Sequence, residues 1–190
     1  MRIVLFFLFI GIGLTSFSQE KTDLSKVKLT KEEMQLYDML MTYRKSKRLP
    51  AIPLSASLTH VAQTHVRDLA KHNPDAADKC NMHSWSDQGP WSSCCYTRDH
   101  KQARCMWDKP KELTNYQSNG YEISYTSSGD ATPEKAMAAW KKSSGHNEVM
   151  VNKGIWKDDN WQAVGIGIFE GRACIWFGKE ADSAGAPLKP

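Results

Sequence analysis

Past its first eighteen residues the sequence has no long apolar run, so nothing in the remainder reaches the about 20 residues that span a bilayer as a helix. It contains no His-Glu-x-x-His, no Gly-x-Ser-x-Gly, no phosphate-cradling glycine loop and no Cys-x-x-Cys. These absences remove the familiar signatures of zinc proteases, α/β-hydrolases, nucleotide-binding loops and dithiol redox proteins. There is no Asn-x-Ser/Thr acceptor for an N-linked glycan. Charge of one sign is also scarce. Lys and Arg number 25 against 21 Asp and Glu, and a net charge of +4 falls short of the strongly basic face that nucleic acid requires. Apolar residues are not scarce: at 41% of the chain they exclude a disordered, low-complexity class. A chain of 190 residues suits one domain with tails, large enough to fold without a metal or a disulfide.

What is present begins at the N-terminus. Arg2 precedes Ile3 to Leu14, twelve residues that are apolar or glycine, and Ser16 and Ser18 follow. A basic start, a short apolar run and small residues predict a secretory signal peptide over residues 1–18, cut before Gln19. A buried N-terminal helix is the alternative reading, but the run has no polar face. No Cys stands at the cut, so no lipid anchor is expected there. Cutting removes Arg2 and no acid, which lowers the net charge from +4 to +3. The mature chain is expected to be a secreted monomer, extracellular or periplasmic, with no transmembrane segment and no nucleic-acid partner. In an oxidising compartment Cys80, Cys94, Cys95, Cys105 and Cys174 are disulfide candidates before they are nucleophiles. Five is odd, so one thiol is left over or pairs with another chain. Cys94 and Cys95 are adjacent, and their side chains diverge in an extended chain, so they are expected to reach different partners.

Residues 19–29 are polar and read as a flexible leader. Thr30 and Glu33 spell a capping box, and Met34, Tyr37, Leu40, Met41 and Arg44 continue at helical spacing to about Lys47. A second helix starts near Ser55 or Ser57, with Leu58, Val61, Ala62, His65, Val66 and Leu69 on one face. His65 on that stripe reads as a core histidine with satisfied ring nitrogens. Residues 75–120 read as mostly irregular and hold four of the five Cys; a loop this long in a compact domain is functional or stapled. Tyr121–Tyr125 is a strand, and Thr132-Pro133 starts a helix that runs to Gly145. Trp161–Phe169 and Ala173–Phe177 flank a tight turn at Glu170-Gly171-Arg172 and form a β-hairpin. Both of its faces are apolar or tiny, which asks for cover from two sides. Residues 181–190 read as a flexible tail. Trp85, Trp91 and Trp107 read as loop anchors, and His100 and the run Lys45–Arg48 as solvated.

Several segments stand in a fixed order. Tyr43-Arg44-Lys45 and Leu49-Pro50-Ala51-Ile52 lead into Leu58, Val61-Ala62-Gln63, His65 and Asp68-Leu69-Ala70. His83-Ser84, Gly120-Tyr121-Glu122, Ala139-Trp140, Ser143-Ser144-Gly145-His146-Asn147 and Val164-Gly165-Ile166-Gly167 follow. This order resembles the CAP superfamily, the cysteine-rich secretory, antigen 5 and pathogenesis-related proteins, in its short bacterial form. The resemblance runs over about residues 30–179. It implies an α+β fold, a three-layer α-β-α sandwich with a small central antiparallel sheet, as one domain over 30–180 with a cysteine-rich insertion at about 80–116. It also implies a cleft lined by two His and two acids. His83 matches the first His, Glu122 the first acid and His146 the second His. Where the second acid belongs, one turn after Trp140, this chain has Ser143.

Three functions follow from that cleft. The first is an extracellular binding module for a small apolar ligand, lipid or sterol-like, or for a peptide. The second is a metal-dependent hydrolase in which His83 and His146 hold zinc or another divalent ion and Glu122 acts as base. The third is an extracellular protein-interaction domain that uses the cysteine-rich insertion. The missing second acid favours binding over catalysis.

Overall fold

A computed structural model describes residues 22–190, and the expected signal peptide lies outside them. The first helix, α1 (Lys31–Ser46), opens on the predicted capping box. Thr30 Oγ1 accepts from the Glu33 N–H at 3.1 Å, and Glu33 Oε2 accepts from the Thr30 N–H at 2.8 Å. Ser55 caps α2 (Ala56–His72) by accepting from the Leu58 N–H, and Asn73 ends it in the left-handed conformation. Two five-residue helices follow, α3 (Ala103–Trp107) and α4 (Lys109–Leu113), in the stretch expected to be irregular. Neither is long enough to show a period in the sequence, and Pro110 near the start of α4 suits a first turn. After β1 (Gly120–Thr126) comes α5 (Pro133–Lys142), capped by Thr132 as expected. It ends three residues earlier than predicted. The chain turns at Ser143 into a separate helix, α6 (Ser144–Met150), whose first turn holds Gly145 and which buries Val149 and Met150.

The hairpin forms as β2 (Ala163–Phe169) and β3 (Arg172–Gly178), and β1 joins its other side in the antiparallel order β1-β3-β2. Side chains alternate cleanly across this sheet. Ile123, Val164, Ile166, Ile175 and Phe177 pack with Leu36 and Leu40 of α1, Met137 and Trp140 of α5, and Met150 of α6. Cys174 and Trp176 share the other core with Leu58, Val61, Ala62 and Val66 of α2, and with Trp85, Tyr96 and Met106. The sheet is therefore covered from two sides, in three layers, as the doubly apolar hairpin required.

Two glycines set how closely α2 lies on the sheet. A Cβ at Gly165 would overlap the Leu58 backbone, and one at Gly167 would overlap that of Ala62. With no side chain there, α2 presses its backbone onto β2. His65 continues the stripe of Leu58 and Ala62, at i+7 and i+3, and carries it toward β1. The register places Gly165, Trp176 and Glu122 in one row across the three strands.

The segments read as a leader and a tail pair with each other. The Leu29 N–H donates to the Leu188 carbonyl at 2.9 Å, and the Leu188 N–H donates to that of Val27 at 2.8 Å. Val27 and Leu29 are buried, a period-two signal short enough to be lost among lysines. Asp182 accepts from Ser55 Oγ (2.6 Å), the Ser57 N–H (2.9 Å) and Ser57 Oγ (2.9 Å), so the tail carries a carboxylate to the N-terminus of α2.

Candidate functional site

Glu122 is the centre of the site. It lies on the α2 side of β1, an edge strand, and its side chain is fully buried. Its Oε1 lies 2.6 Å from His65 Nδ1 and its Oε2 lies 2.7 Å from His83 Nδ1, both within hydrogen-bond distance. One carboxylate therefore joins three separate parts of the chain: α2, β1 and the cysteine-rich insertion. His65 Nε2 in turn donates to the Ser84 carbonyl at 2.9 Å. Three residues further along α2, buried Asp68 accepts from the Ser86 N–H at 2.9 Å and from Ser86 Oγ. Thus positions 65 and 68 of the helix grip positions 84 and 86 of the insertion, on either side of Trp85.

The electrostatics follow from burial and pairing. Burial opposes charge on Glu122, but the two imidazoles prevail and hold its carboxyl well below the usual carboxylate range. Burial alone would push His65 down; Glu122 and the Ser84 carbonyl push it up, and they prevail. His146 goes the other way. Burial, then the adjacent His83, lowers it, with Glu122 opposing, so it is neutral at neutral pH. His146 stands in the first turn of α6, half-buried and near His83 and Glu122. His83 is 19% exposed, with its ring edge-on to Tyr96 at 5.2 Å. Ser143 forms the joint between α5 and α6, and its carbonyl accepts from the Asn147 N–H.

The insertion that carries His83 is stapled twice, Cys80 to Cys95 and Cys94 to Cys105, so the adjacent cysteines do reach different partners. Cys174 is the leftover thiol; it is buried on β3, where its Sγ donates to the Ala62 carbonyl at 3.5 Å. Trp85 is a core residue, stacked flat on His65 at 4.2 Å and 7°. Buried Lys109 locks the loop from the other end, donating to the Ser92 carbonyl (2.5 Å) and Glu112 (2.6 Å). His100 is exposed, with Tyr96 Oη 3.1 Å from its ring.

The sequence profile of CAP, the cysteine-rich secretory protein family, matches residues 37–157. The chain belongs to this family. Solved structures agree on the fold of this CAP domain. An outer surface protein from Borrelia burgdorferi is 16% identical over 80% of this chain and 96% of its own, with a TM-score of 0.53. An extracellular protein from Bacillus anthracis that contains an SCP domain is 16% identical over 78% of this chain, with a TM-score of 0.51; this CAP chain spans 40% of that protein's length. No curated protein matches the chain.

Sequence reasoning assigned the CAP cleft to His83, Glu122 and His146, and the structure joins the first two through a hydrogen bond. It read His65 as a core histidine with satisfied ring nitrogens, which it is, without naming Glu122 as its partner. The available signal was His65 itself, a polar residue standing in the apolar stripe of Leu58, Val61, Ala62, Val66 and Leu69.

As a metal set, these residues do not fit. His65, Glu122 and Cys174 bring donor atoms within 4.8 Å of one another. Yet both nitrogens of His65 and both oxygens of Glu122 are engaged in the hydrogen bonds above. Burial, and then Glu122, raise the Cys174 thiol well above its ordinary range, which disfavours the thiolate a metal would need. His83 and His146 alone supply two donors, where a catalytic zinc takes three protein ligands. Among the described residues no helix is long and apolar enough to cross a membrane.

Proposed function

We propose that this CAP domain is a secreted binding module whose ligand is apolar and fatty-acid-like, and that the His/Glu cluster shapes the domain rather than turning over a substrate. The observation that carries this reading is a cavity of about 600 Å³ along α1. Met34, Met39, Thr42 and Tyr43 line it from α1, Lys141 from α5, and Pro190 from the tail. Its size falls within the range of small-ligand sites. Lys31 and Lys141 stand on its walls against one acid, Asp38. Lys47 and Lys141 also lie over the Tyr43 ring, at 5.3 and 4.5 Å. An acyl chain fits the methionines, and an acidic head fits the lysines.

Two features speak against a hydrolase. Glu122 is fully buried and both of its oxygens face histidine rings, so it is not presented to a cleft water as a base would be. The second acid's position holds Ser143. Secretion of this chain rests on its N-terminal residues and on the family's extracellular character.

The test is titration of the delipidated mature protein with a fluorescent fatty acid of about 16 carbons as the probe. Thr42 is exposed on α1, so Thr42→Trp is expected to fold normally and to fill the cavity, weakening the probe by about tenfold or more. Equal binding by the two proteins would contradict the assignment.

A further inference from the structure

His65 is flanked by groups whose chemistry restricts its protonation. Its Nε2 faces a carbonyl oxygen, that of Ser84, which can only accept, so Nε2 carries a hydrogen. Its Nδ1 faces Glu122 Oε1 at 2.6 Å. Two arrangements satisfy that contact. Either Glu122 is a neutral acid donating to a neutral ring, or a carboxylate accepts from an imidazolium.

The surroundings favour the ionic arrangement. The other Glu122 oxygen has His83 Nδ1 at 2.7 Å, and two ring nitrogens set against one carboxyl group suit a carboxylate that accepts at both oxygens. Trp85 lies face to face with the His65 ring at 4.2 Å, the position in which an indole π-face attracts a cation. Trp176 meets the same ring edge-on at 6.1 Å. Asp68 adds negative charge from α2 itself, and the thiol of Cys174 on β3 is neutral. Against the charge stands full burial.

We infer that His65 is a standing imidazolium and a positioning residue. It keeps Glu122 a carboxylate, and the carboxylate fixes His83 as the Nδ1–H tautomer with Nε2 bare. The chain of bonds then reads Ser84 carbonyl, His65, Glu122, His83, with every hydrogen assigned. One consequence is chemical selectivity. Through Nε2, His83 offers its surroundings an acceptor, suited to a ligand hydroxyl or amide N–H and not to an anion. This inference concerns the histidine cleft and is independent of the cavity along α1, so either can fail without the other.

The experiment is long-range 1H–15N correlation of the histidine rings in the 15N-labelled mature protein, at neutral and mildly alkaline pH. The expected spectrum has one ring with both nitrogens protonated throughout and one ring protonated at Nδ1 alone. H65Q and H83Q assign them by removing one pattern each. In H65Q the His83 ring is expected to relax to a mixture of tautomers, a change that loss of packing alone would not specify. Three results would overturn the inference: no doubly protonated ring at neutral pH, His83 protonated at Nε2 in the parent protein, or an unchanged His83 tautomer in H65Q. Should H65Q fail to fold, the parent spectrum and H83Q decide it alone.

Discussion

Glu122→Ala is expected to destabilise the domain by about 3–5 kcal/mol, the cost of removing one partner from a buried charge pair. The reason is what remains. His65 keeps full burial and its Ser84 contact but loses the carboxylate that balances its charge, and His83 loses the contact that ties the insertion to the sheet. Denaturant unfolding at neutral pH measures it; a loss below about 1 kcal/mol would place this contact among ordinary surface pairs. The pH dependence has two limbs. Glu122 is held below its unfolded value near 4.5, so its contribution is present above that pH and is lost as pH falls toward the folded value. His65 is held above its unfolded value near 6.5, so its contribution is complete below that pH and is lost as pH rises through the folded value. Both contributions are complete only between about pH 4.5 and 6.5, and the Glu122→Ala penalty is largest there. A penalty that grew steadily above this window would contradict the pairing.

Reduction of the two disulfides is the second large effect. Their cysteines are 15 and 11 residues apart, and each closure of that size contributes about 3 kcal/mol. Losing both is expected to lower stability by about 5–6 kcal/mol and to free the loop between residues 80 and 105. Thermal unfolding with and without reductant measures the loss. Alkylation locates it. The oxidised native protein is expected to expose no reactive thiol, because Cys174 is buried, and the unfolded protein to expose one. Modification of Cys174 under native conditions would show that the α2 side of the sheet opens readily.

Much of this fold was legible where a residue acts on its near neighbours. Thr30 with Glu33, Thr132 with Pro133, and the Glu170-Gly171 turn each define a boundary over a few positions, and the structure follows them closely. The paired glycines of Val164-Gly165-Ile166-Gly167 announced cover on both faces. Contacts between distant residues were not legible without the family resemblance. β1 pairs with β3 across about fifty residues, and Asp182 meets Ser55 from 127 positions away. The tail seemed featureless because one aspartate and one leucine do its work. The insertion hid two helices because its order comes from disulfides, Lys109 and Trp85, none of which leaves a period. The site was half legible. His83, Glu122 and His146 came from matched motifs, whereas the role of His65 depends on which acid the fold sets against it. That acid is 57 residues further on, in another layer.

A crystal structure of the mature protein grown with a fatty acid of about 16 carbons shows where the ligand sits. Acyl density is expected along α1 between Met34, Met39 and Tyr43, with the carboxylate toward Lys141 and with His65, Glu122 and His83 still joined. Density for the ligand between His83 and His146, with the α1 cavity empty, would contradict the proposed binding site.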